Sequence, residues 1–341
     1  MLWTVFIHVL YFGSFFSSSD INAVKSWLLL EMPLIFFIMG AGNAMSRDRA
    51  YHSFVFNRWG KMMIPYWVYA VLCVGIILYD RSRSFSLTDQ YVWDVVLSWV
   101  IPLDKQISHM DYLTWAIWFV PVYLCMVLLM PLYKKAAQGP WRIAWGVIFG
   151  MVYLVTLVVG GEFLQTVAFY GLFVYFGHFY TDLEEELSYM PMRGFLWAMV
   201  VMSLTVLIGM LFAGVDLDMQ FRKFPPDPCF LLFSVGTLSG VLLLTPYIDS
   251  FFAALERIRV MRAFVDLYAK HSLTVFLYQP IFFLWAVPLC NRLITGPYFG
   301  SELARMLLCL AMAIPACALP ALLLGRLENF PYRNPKNNGL E

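Results

Sequence analysis

Residues 303–325 read LARMLLCLAMAIPACALPALLLG, and Arg305 is the only charged residue among them. About 20 apolar residues in a helix cross the hydrocarbon core of a bilayer, so this stretch predicts a membrane-spanning helix. The whole chain has the same character, since 61% of its 341 residues are hydrophobic and 13% are charged. In hydrocarbon the backbone must satisfy its own hydrogen bonds, and the period-2 alternation of a membrane barrel is absent. The predicted fold class is therefore all-α, a polytopic transmembrane helix bundle.

About ten such stretches, separated by short charged loops, are predicted to span the membrane. They are residues 1–17, 27–45, 62–79, 115–133, 143–160, 163–180, 195–213, 229–248, 272–290 and 303–325. Residues 91–103 are too short and too acidic to span, and arginines interrupt residues 250–268, so we predict re-entrant or interfacial helices there. The chain is interpreted as a single transmembrane domain over 1–325 with a polar cytoplasmic tail over 326–341.

The distribution of Lys and Arg predicts the orientation. With the N-terminus inside, 15 of the 23 Lys and Arg residues fall in cytoplasmic segments and the other eight in outer loops. Cytoplasmic loops carry the excess of these residues in membrane proteins, so both termini are predicted to be cytoplasmic. The expected location is the cell inner (plasma) membrane, and the net charge of +1 gives no reason to expect nucleic acid as a partner.

Several common site types have no counterpart in the sequence. There is no P-loop, GxGxxG, HExxH or GxSxG pattern. The six cysteines form no CxxC pair and the five histidines have no metal-ligand spacing. We therefore interpret the cysteines as small apolar packing residues and predict no metal site.

Polar side chains inside predicted spans are costly, which makes them candidate functional residues. His8 lies in the first span, in WTVFIHVLYFG. An imidazole with a pKa of about 6.5 can take a proton from a hydroxyl and return it; the alternative is a packed histidine bonded to a neighbouring helix. Glu31 lies in the second span and should face the bundle, paired or protonated. It either orients His8 or is an interfacial acid near the outer end of that span.

Arg58 and Lys61 stand three positions apart just before the third predicted span, so they share one helical face. Arg47 and Arg49 lie nearby in the same loop. Such a cluster of cations suits phosphate groups. The alternative is ordinary positive-inside anchoring, which we prefer for Arg47 and Arg49.

Two further places carry candidate binding residues. Trp115, Trp118 and Phe119 open the fourth span, either as an aromatic belt or as a surface that stacks on a sugar or lines a tunnel. In the ninth span, Gln279 lies at mid-depth, must find a partner and is predicted to point inward. His271, at the inner interface, is interpreted as an anchor.

The order and spacing of these features resemble the integral-membrane acyltransferase-3 family. The first matching features are the histidine of the first span (His8) and residues 33–40, which read PLIFFIMG where the family shows Pro-hydrophobic-Phe-Phe-x-x-Ser-Gly. The others are two cations before an Ile-Pro-Tyr-Trp entry (Arg58, Lys61 and 64–67), a Trp-Phe pair (118–119) and a Ser-Leu stretch that leads to a proline (272–280). The chain departs from the family pattern at Met39, where serine is usual, at Lys61, where arginine is usual, and at Tyr278 or Gln279, where histidine is common. The family usually carries a basic residue eleven positions before the histidine; seven residues precede His8 here, so that residue is missing or lies upstream of Met1.

The resemblance implies an O-acyltransferase that moves an acyl group, expected to be acetyl, from acyl-CoA to a hydroxyl of an extracytoplasmic carbohydrate. Acyl-CoA is then a co-substrate and no cofactor is tightly bound; the partners are membrane lipid, acyl-CoA and the glycan acceptor. The implied site residues are His8 and Glu31 for catalysis, Arg58, Lys61, Tyr66 and Trp67 for the donor, and Trp115, Trp118 and Gln279 for the acceptor. Two alternatives remain. One is a polytopic transporter, although the sequence shows no inverted repeat of the kind that many transporters have. The other is a catalytically degenerate membrane scaffold of the same fold.

Overall fold

The computed structural model describes residues 1–16, 19–46, 50–84, 86–102, 106–186, 189–296 and 299–329. Within these residues the chain forms fifteen α-helices and no β-strand, which confirms the all-α fold class. The helices are α1 (Leu2–Phe12), α2 (Ser19–Ser26), α3 (Glu31–Ala44), α4 (Tyr51–Ser84), α5 (Asp89–Val100), α6 (Asp111–Thr114), α7 (Phe119–Ala137), α8 (Arg142–Val159), α9 (Glu162–Glu186), α10 (Tyr189–Phe212), α11 (Met219–Arg222), α12 (Pro228–Leu255), α13 (Arg259–Lys270), α14 (Ser272–Leu293) and α15 (Phe299–Leu324). A short 3-10 helix, Gly325–Asn329, follows α15. Arg47, Arg49 and the tail residues 330–341 lie outside the described residues.

Eight helical segments of the described chain are long and apolar enough to cross a membrane, and they correspond to eight of the ten predicted spans. They are Val24–Ala44, Tyr51–Arg83, Asp111–Ala137, Arg142–Val159, Met190–Phe212, Pro228–Leu255, Ser272–Leu293 and Gly300–Glu328. The chain is therefore a polytopic helical membrane protein. The orientation of its termini stays a prediction.

The other two predicted spans differ from these eight for different reasons. Helix α1 has 11 residues, and at about 1.5 Å per residue it is shorter than a hydrocarbon core of about 30 Å. Helix α9 has 25 residues, which is enough length, but its tyrosines, glutamine and histidine lower its hydropathy. Most of its middle, from Val167 to Tyr175, is buried. A helix enclosed by protein can be less apolar than one that faces lipid, so the count of ten spans stays a prediction.

The two stretches predicted as interfacial helices are helical, with one correction. Residues 91–103 fall largely in α5, whose first turn is capped by the Thr88 hydroxyl accepting from the Tyr91 amide at 3.3 Å. The prediction of one helix over 250–268 was wrong, because α12 continues to Leu255 and α13 begins only at Arg259. No glycine or proline interrupts residues 247–255, so nothing local ends α12 earlier.

The described helices form two compact units that alternate along the chain. The first unit takes its residues from Met1–Phe16, Ala50–Leu124 and Arg259–Glu341, and the second from Ser17–Arg49 and Cys125–Ile258. In the first unit α14 packs against α1, α4 and α15. In the second, α9 packs against α3 and α8, and α12 packs against α10. Single-domain behaviour over residues 1–325 stays a prediction.

Two glycines allow α3 and α9 of the second unit to pack closely. A Cβ atom built on Gly40 of α3 would lie 2.0 Å from the Val174 carbonyl oxygen, and one built on Gly177 of α9 would lie 2.1 Å from the Phe37 carbonyl oxygen. Small residues allow helix backbones to approach closely within membranes. Gly40 ends the Pro-to-Gly stretch of the second predicted span, so that motif has a packing role in this fold.

Candidate active site

Helix α1 places His8 on its buried face. Thr4, His8 and Phe12 follow one another at intervals of four residues, so they share a face. All three are buried, and His8 is 6% exposed. The imidazole is therefore enclosed by protein, and its function depends on its neighbours.

His8 forms a short hydrogen bond with Gln279 of α14. The distance from His8 Nδ1 to Gln279 Oε1 is 2.6 Å, and the Gln279 side chain is completely buried. An amide oxygen can only accept, so this contact favours the tautomer that carries the proton on Nδ1. In the neutral ring the lone pair is then on Nε2, which is the nitrogen that can act as a base.

Aromatic rings enclose the imidazole. The ring centroids of Trp115, Phe12 and Phe276 lie 5.1, 5.7 and 5.9 Å from that of His8. Trp115 belongs to the turn that joins α6 to α7, and its ring lies 4.2 Å from that of Phe12. We call these residues, with Gln279, the His8 pocket. Its apolar walls lower the local dielectric, which strengthens each polar interaction made inside it.

One donor of the His8 pocket is unpaired within the described residues. Gln279 Nε2 is buried and has no hydrogen-bond partner there. Buried polar atoms of proteins are nearly always bonded, so each exception needs an explanation. A buried amide N–H without a partner is suited to a ligand that carries an oxygen acceptor.

Arg58 and Lys61 lie inside α4, since this helix begins at Tyr51 rather than at the predicted start of the third span. Both side chains are exposed, and within the described residues neither makes an ion pair. The Arg58 guanidinium lies 5.7 Å from the Phe54 ring and interacts with the Tyr123 hydroxyl. Two exposed cations on one helical face are available to an anionic ligand, and their role in donor binding stays a prediction.

Tyr66 and Trp67 hold α4 against the end of α5. The Tyr66 hydroxyl donates to the Trp99 carbonyl oxygen at 2.9 Å, and Trp67 Nε1 donates to the Val100 carbonyl oxygen at 3.1 Å. Tyr66 is buried, whereas Trp67 is 49% exposed. The structure thus gives both residues a packing function, in addition to their predicted part in the donor site.

The two tryptophans that were predicted to open the fourth span have different ring neighbours. Trp115 contributes to the His8 pocket. Trp118 is only partly buried and lies 6.5 Å from the Phe119 ring, centroid to centroid. Both belong to the turn that precedes α7. Stacking of either ring on an acceptor sugar stays a prediction.

Glu31 is paired, as expected, but its partner was not predicted. Lys223 Nζ donates to Glu31 Oε1 at 2.6 Å, and the two side chains are 6% and 3% exposed. Lys223 follows α11, which is fixed to the end of α2 where the Met219 amide donates to the Ser26 hydroxyl at 2.8 Å. The pair belongs to the second unit and His8 to the first, so the orientation of His8 by Glu31 stays a prediction. No local signal marks Lys223, which lies 192 positions from Glu31.

A comparison with protein families gives one match. A family model described as an acyltransferase domain matches residues 1–324. This range covers almost all of both units and every predicted site residue. No curated protein and no solved structure matches the chain.

Proposed function

The chain belongs to the acyltransferase-3 family, and we propose that it transfers an acyl group, acetyl in the simplest case, from acyl-CoA to a hydroxyl of an extracytoplasmic carbohydrate. Acyltransferase activity in a membrane follows from the family. The donor, the acceptor and a location in the cell inner (plasma) membrane are our proposal. The observation that carries it is the 2.6 Å contact between His8 and Gln279 inside an aromatic pocket.

In this proposal His8 is the general base. Gln279 holds the proton on Nδ1, so Nε2 accepts the proton of the acceptor hydroxyl as the hydroxyl oxygen attacks the thioester carbonyl carbon. The carbon–sulfur bond then breaks, and the CoA thiolate leaves and takes the proton from the imidazolium. The products are an ester and free CoA thiol. General base catalysis of this kind contributes roughly 10²- to 10⁴-fold in rate.

The unpaired Gln279 Nε2 supports a second role for the same side chain. We propose that its N–H donates to an oxygen of the substrate, either the acceptor hydroxyl or the oxyanion of the tetrahedral intermediate. One donor to such an oxyanion stabilises the transition state by roughly 2.7–4 kcal/mol in a site that excludes water. Gln279 is thus proposed both to position His8 and to bind substrate.

The donor is proposed to bind at Arg58 and Lys61. The 3′-phosphate and pyrophosphate of CoA are anionic, and charge-assisted hydrogen bonds to them contribute roughly 1.5–3 kcal/mol each. Tyr66 and Trp67 lie about two turns further along α4, and the proposal keeps them as donor-site residues. On the acceptor side, Trp115 and Trp118 offer ring faces to a sugar.

Labelling of membranes tests the donor and the acceptor together. Membranes that contain the protein are incubated with [¹⁴C]acetyl-CoA and the cell's glycan, and membranes without the protein are the control. We expect label on the glycan that mild base releases, because the product is an ester. Label that enters sealed vesicles without becoming covalently attached would favour a transporter. An absence of both would indicate a scaffold or another donor.

A further inference from the structure

A cavity in the second unit lies apart from every residue assigned above. Its volume is about 330 Å³, near the lower end of the roughly 300–1,000 Å³ typical of ligand pockets. It lies where α8 and α9 face α10 and α12. Phe37, Leu196, Leu238 and Ser239, all buried, close its inner end.

The outer side of the cavity opens toward exposed apolar residues. Ile143, Val147 and Phe195 line it and are 71%, 61% and 43% exposed. They belong to α8 and α10, whose most apolar stretches are only 11% and 17% buried. A spanning helix that is apolar on its exposed faces contacts lipid. The cavity is therefore accessible from the side, to a molecule dissolved in the bilayer.

One end of the cavity carries charge. Arg142, the first residue of α8, also lines the cavity and forms two hydrogen bonds to the Glu186 carboxylate, at 2.7 and 2.6 Å. The Arg142 guanidinium lies 5.7 Å from the Phe179 ring, and Asp182 interacts with it electrostatically. The Arg142 hydrogen bonds lower the pKa of Glu186, which stays ionised at neutral pH. Arg142, Asp182 and Glu186 together therefore carry a net charge of about −1 at pH 7.

The shape and lining limit the class of ligand. From Tyr175 to Leu183 the cavity follows α9, a rise of about 12 Å at about 1.5 Å per residue. That depth accommodates part of one acyl chain. A sugar or nucleotide in the same space would leave its polar groups unpaired, which is costly.

We propose that this cavity binds one acyl chain of a zwitterionic phospholipid of the ethanolamine class, with the lipid phosphate at Arg142 and the lipid ammonium at Glu186 and Asp182. A guanidinium has five N–H donors, and the Glu186 pair uses two of them, so donors remain for the phosphate. The net negative charge at this end attracts an ammonium group and disfavours a purely anionic headgroup. The lipid would be a structural partner, separate from the acyl donor and from the acceptor.

Native mass spectrometry of the purified protein with added dioleoylphosphatidylethanolamine tests the site. Val235 lines the cavity, and Val201 on α10 is exposed. We expect Val235→Trp to weaken retention of one lipid about tenfold, which corresponds to ~1.4 kcal/mol, and the matched Val201→Trp to leave it unchanged. Equal retention by both variants would show that the bound lipid is ordinary annular lipid and would overturn the proposal.

The headgroup assignment is tested with a second lipid and a second variant. Wild type should retain the ethanolamine lipid a few-fold better than dioleoylphosphatidylglycerol, and Glu186→Gln should reduce that preference, because exposed charge pairs contribute modestly. Equal retention of the two lipids by wild type would contradict the headgroup assignment.

A measurement on the unaltered protein covers the case in which a variant fails to fold. Photocrosslinking uses an ethanolamine lipid with a diazirine in its acyl chain, and it should label peptides of α9 and α12. Crosslinks confined to helices that do not line the cavity would exclude it.

Discussion

The buried ion pair of the second unit makes a quantitative prediction. Lys223 Nζ and Glu31 Oε1 are 2.6 Å apart and both side chains are more than nine-tenths buried. Lys223→Met removes the cation and leaves a carboxylate without its partner in a region that water does not reach. Breaking a buried pair in this way costs about 3–5 kcal/mol of the free energy of unfolding, whereas replacing both partners by apolar residues is close to neutral.

The assay is a double-mutant cycle. The free energy of unfolding is measured in detergent by denaturant titration, followed by tryptophan fluorescence, for wild type, Lys223→Met, Glu31→Met and the double variant. We expect both single variants to be destabilised, Lys223→Met by about 3–5 kcal/mol, and the double variant to recover most of that loss. Arg142→Gln, which breaks an exposed pair in the same unit, is the control and should have a much smaller effect.

The reasoning would be refuted by a Lys223→Met protein as stable as the Arg142→Gln control. It would also be refuted by a double variant less stable than either single variant. The acyl-transfer activity of the double variant tests the predicted catalytic role of Glu31 separately from its role in stability. If the predicted catalytic role of Glu31 is right, that protein is folded but inactive in acyl transfer.

Two further predictions concern the donor site and helix packing. Arg58→Ala should raise KM for acyl-CoA by one to two orders of magnitude, about 1.4 kcal/mol per tenfold. Lys61→Arg keeps the charge and should be tolerated. An unchanged KM for Arg58→Ala, together with an altered membrane orientation, would instead indicate positive-inside anchoring. Gly177→Ala should lower the unfolding midpoint, because its methyl group would meet the backbone of α3. Gly209→Ala on α10 is the matched control and should stabilise by about 0.5–1 kcal/mol, since nothing lies within 4 Å of its Cβ position. Equal midpoints for the two glycine variants would contradict the close packing of α3 and α9.

Hydropathy predicted the fold class and the placing of eight spans, since apolar length is a property of local sequence. Helix ends were less predictable. The span predicted at 229–248 begins at Pro228, where Asp227 caps α12, but it extends to Leu255. A helix can continue beyond the hydrocarbon core where no helix-breaking residue ends it. Hydropathy does not predict this extension, because the added residues need not be apolar. The helix predicted at 163–180 is α9, Glu162–Glu186. It is less apolar than the other spans because its neighbours are protein.

The burial of the candidate site residues was predictable, and their partners were not. His8, Glu31 and Gln279 were each expected to avoid lipid because a polar group in hydrocarbon is costly, and each is buried. His8 and Gln279 lie 271 positions apart and meet only because α1 packs against α14. Periodicity along one helix carries no information on which distant residue completes a hydrogen bond. Only the tertiary structure reveals that Gln279 bonds to His8 and that Lys223 pairs with Glu31.

The central claim is that His8, positioned by Gln279, is the base of acyl transfer from acyl-CoA. The most direct measurement is the initial rate of transfer by purified, correctly folded His8→Ala protein at saturating acyl-CoA. Removing a general base should lower that rate by roughly 10²- to 10⁴-fold without changing acyl-CoA binding. His52→Ala, which removes an exposed histidine of α4, should match wild type. A His8→Ala rate equal to that of His52→Ala would contradict the claim.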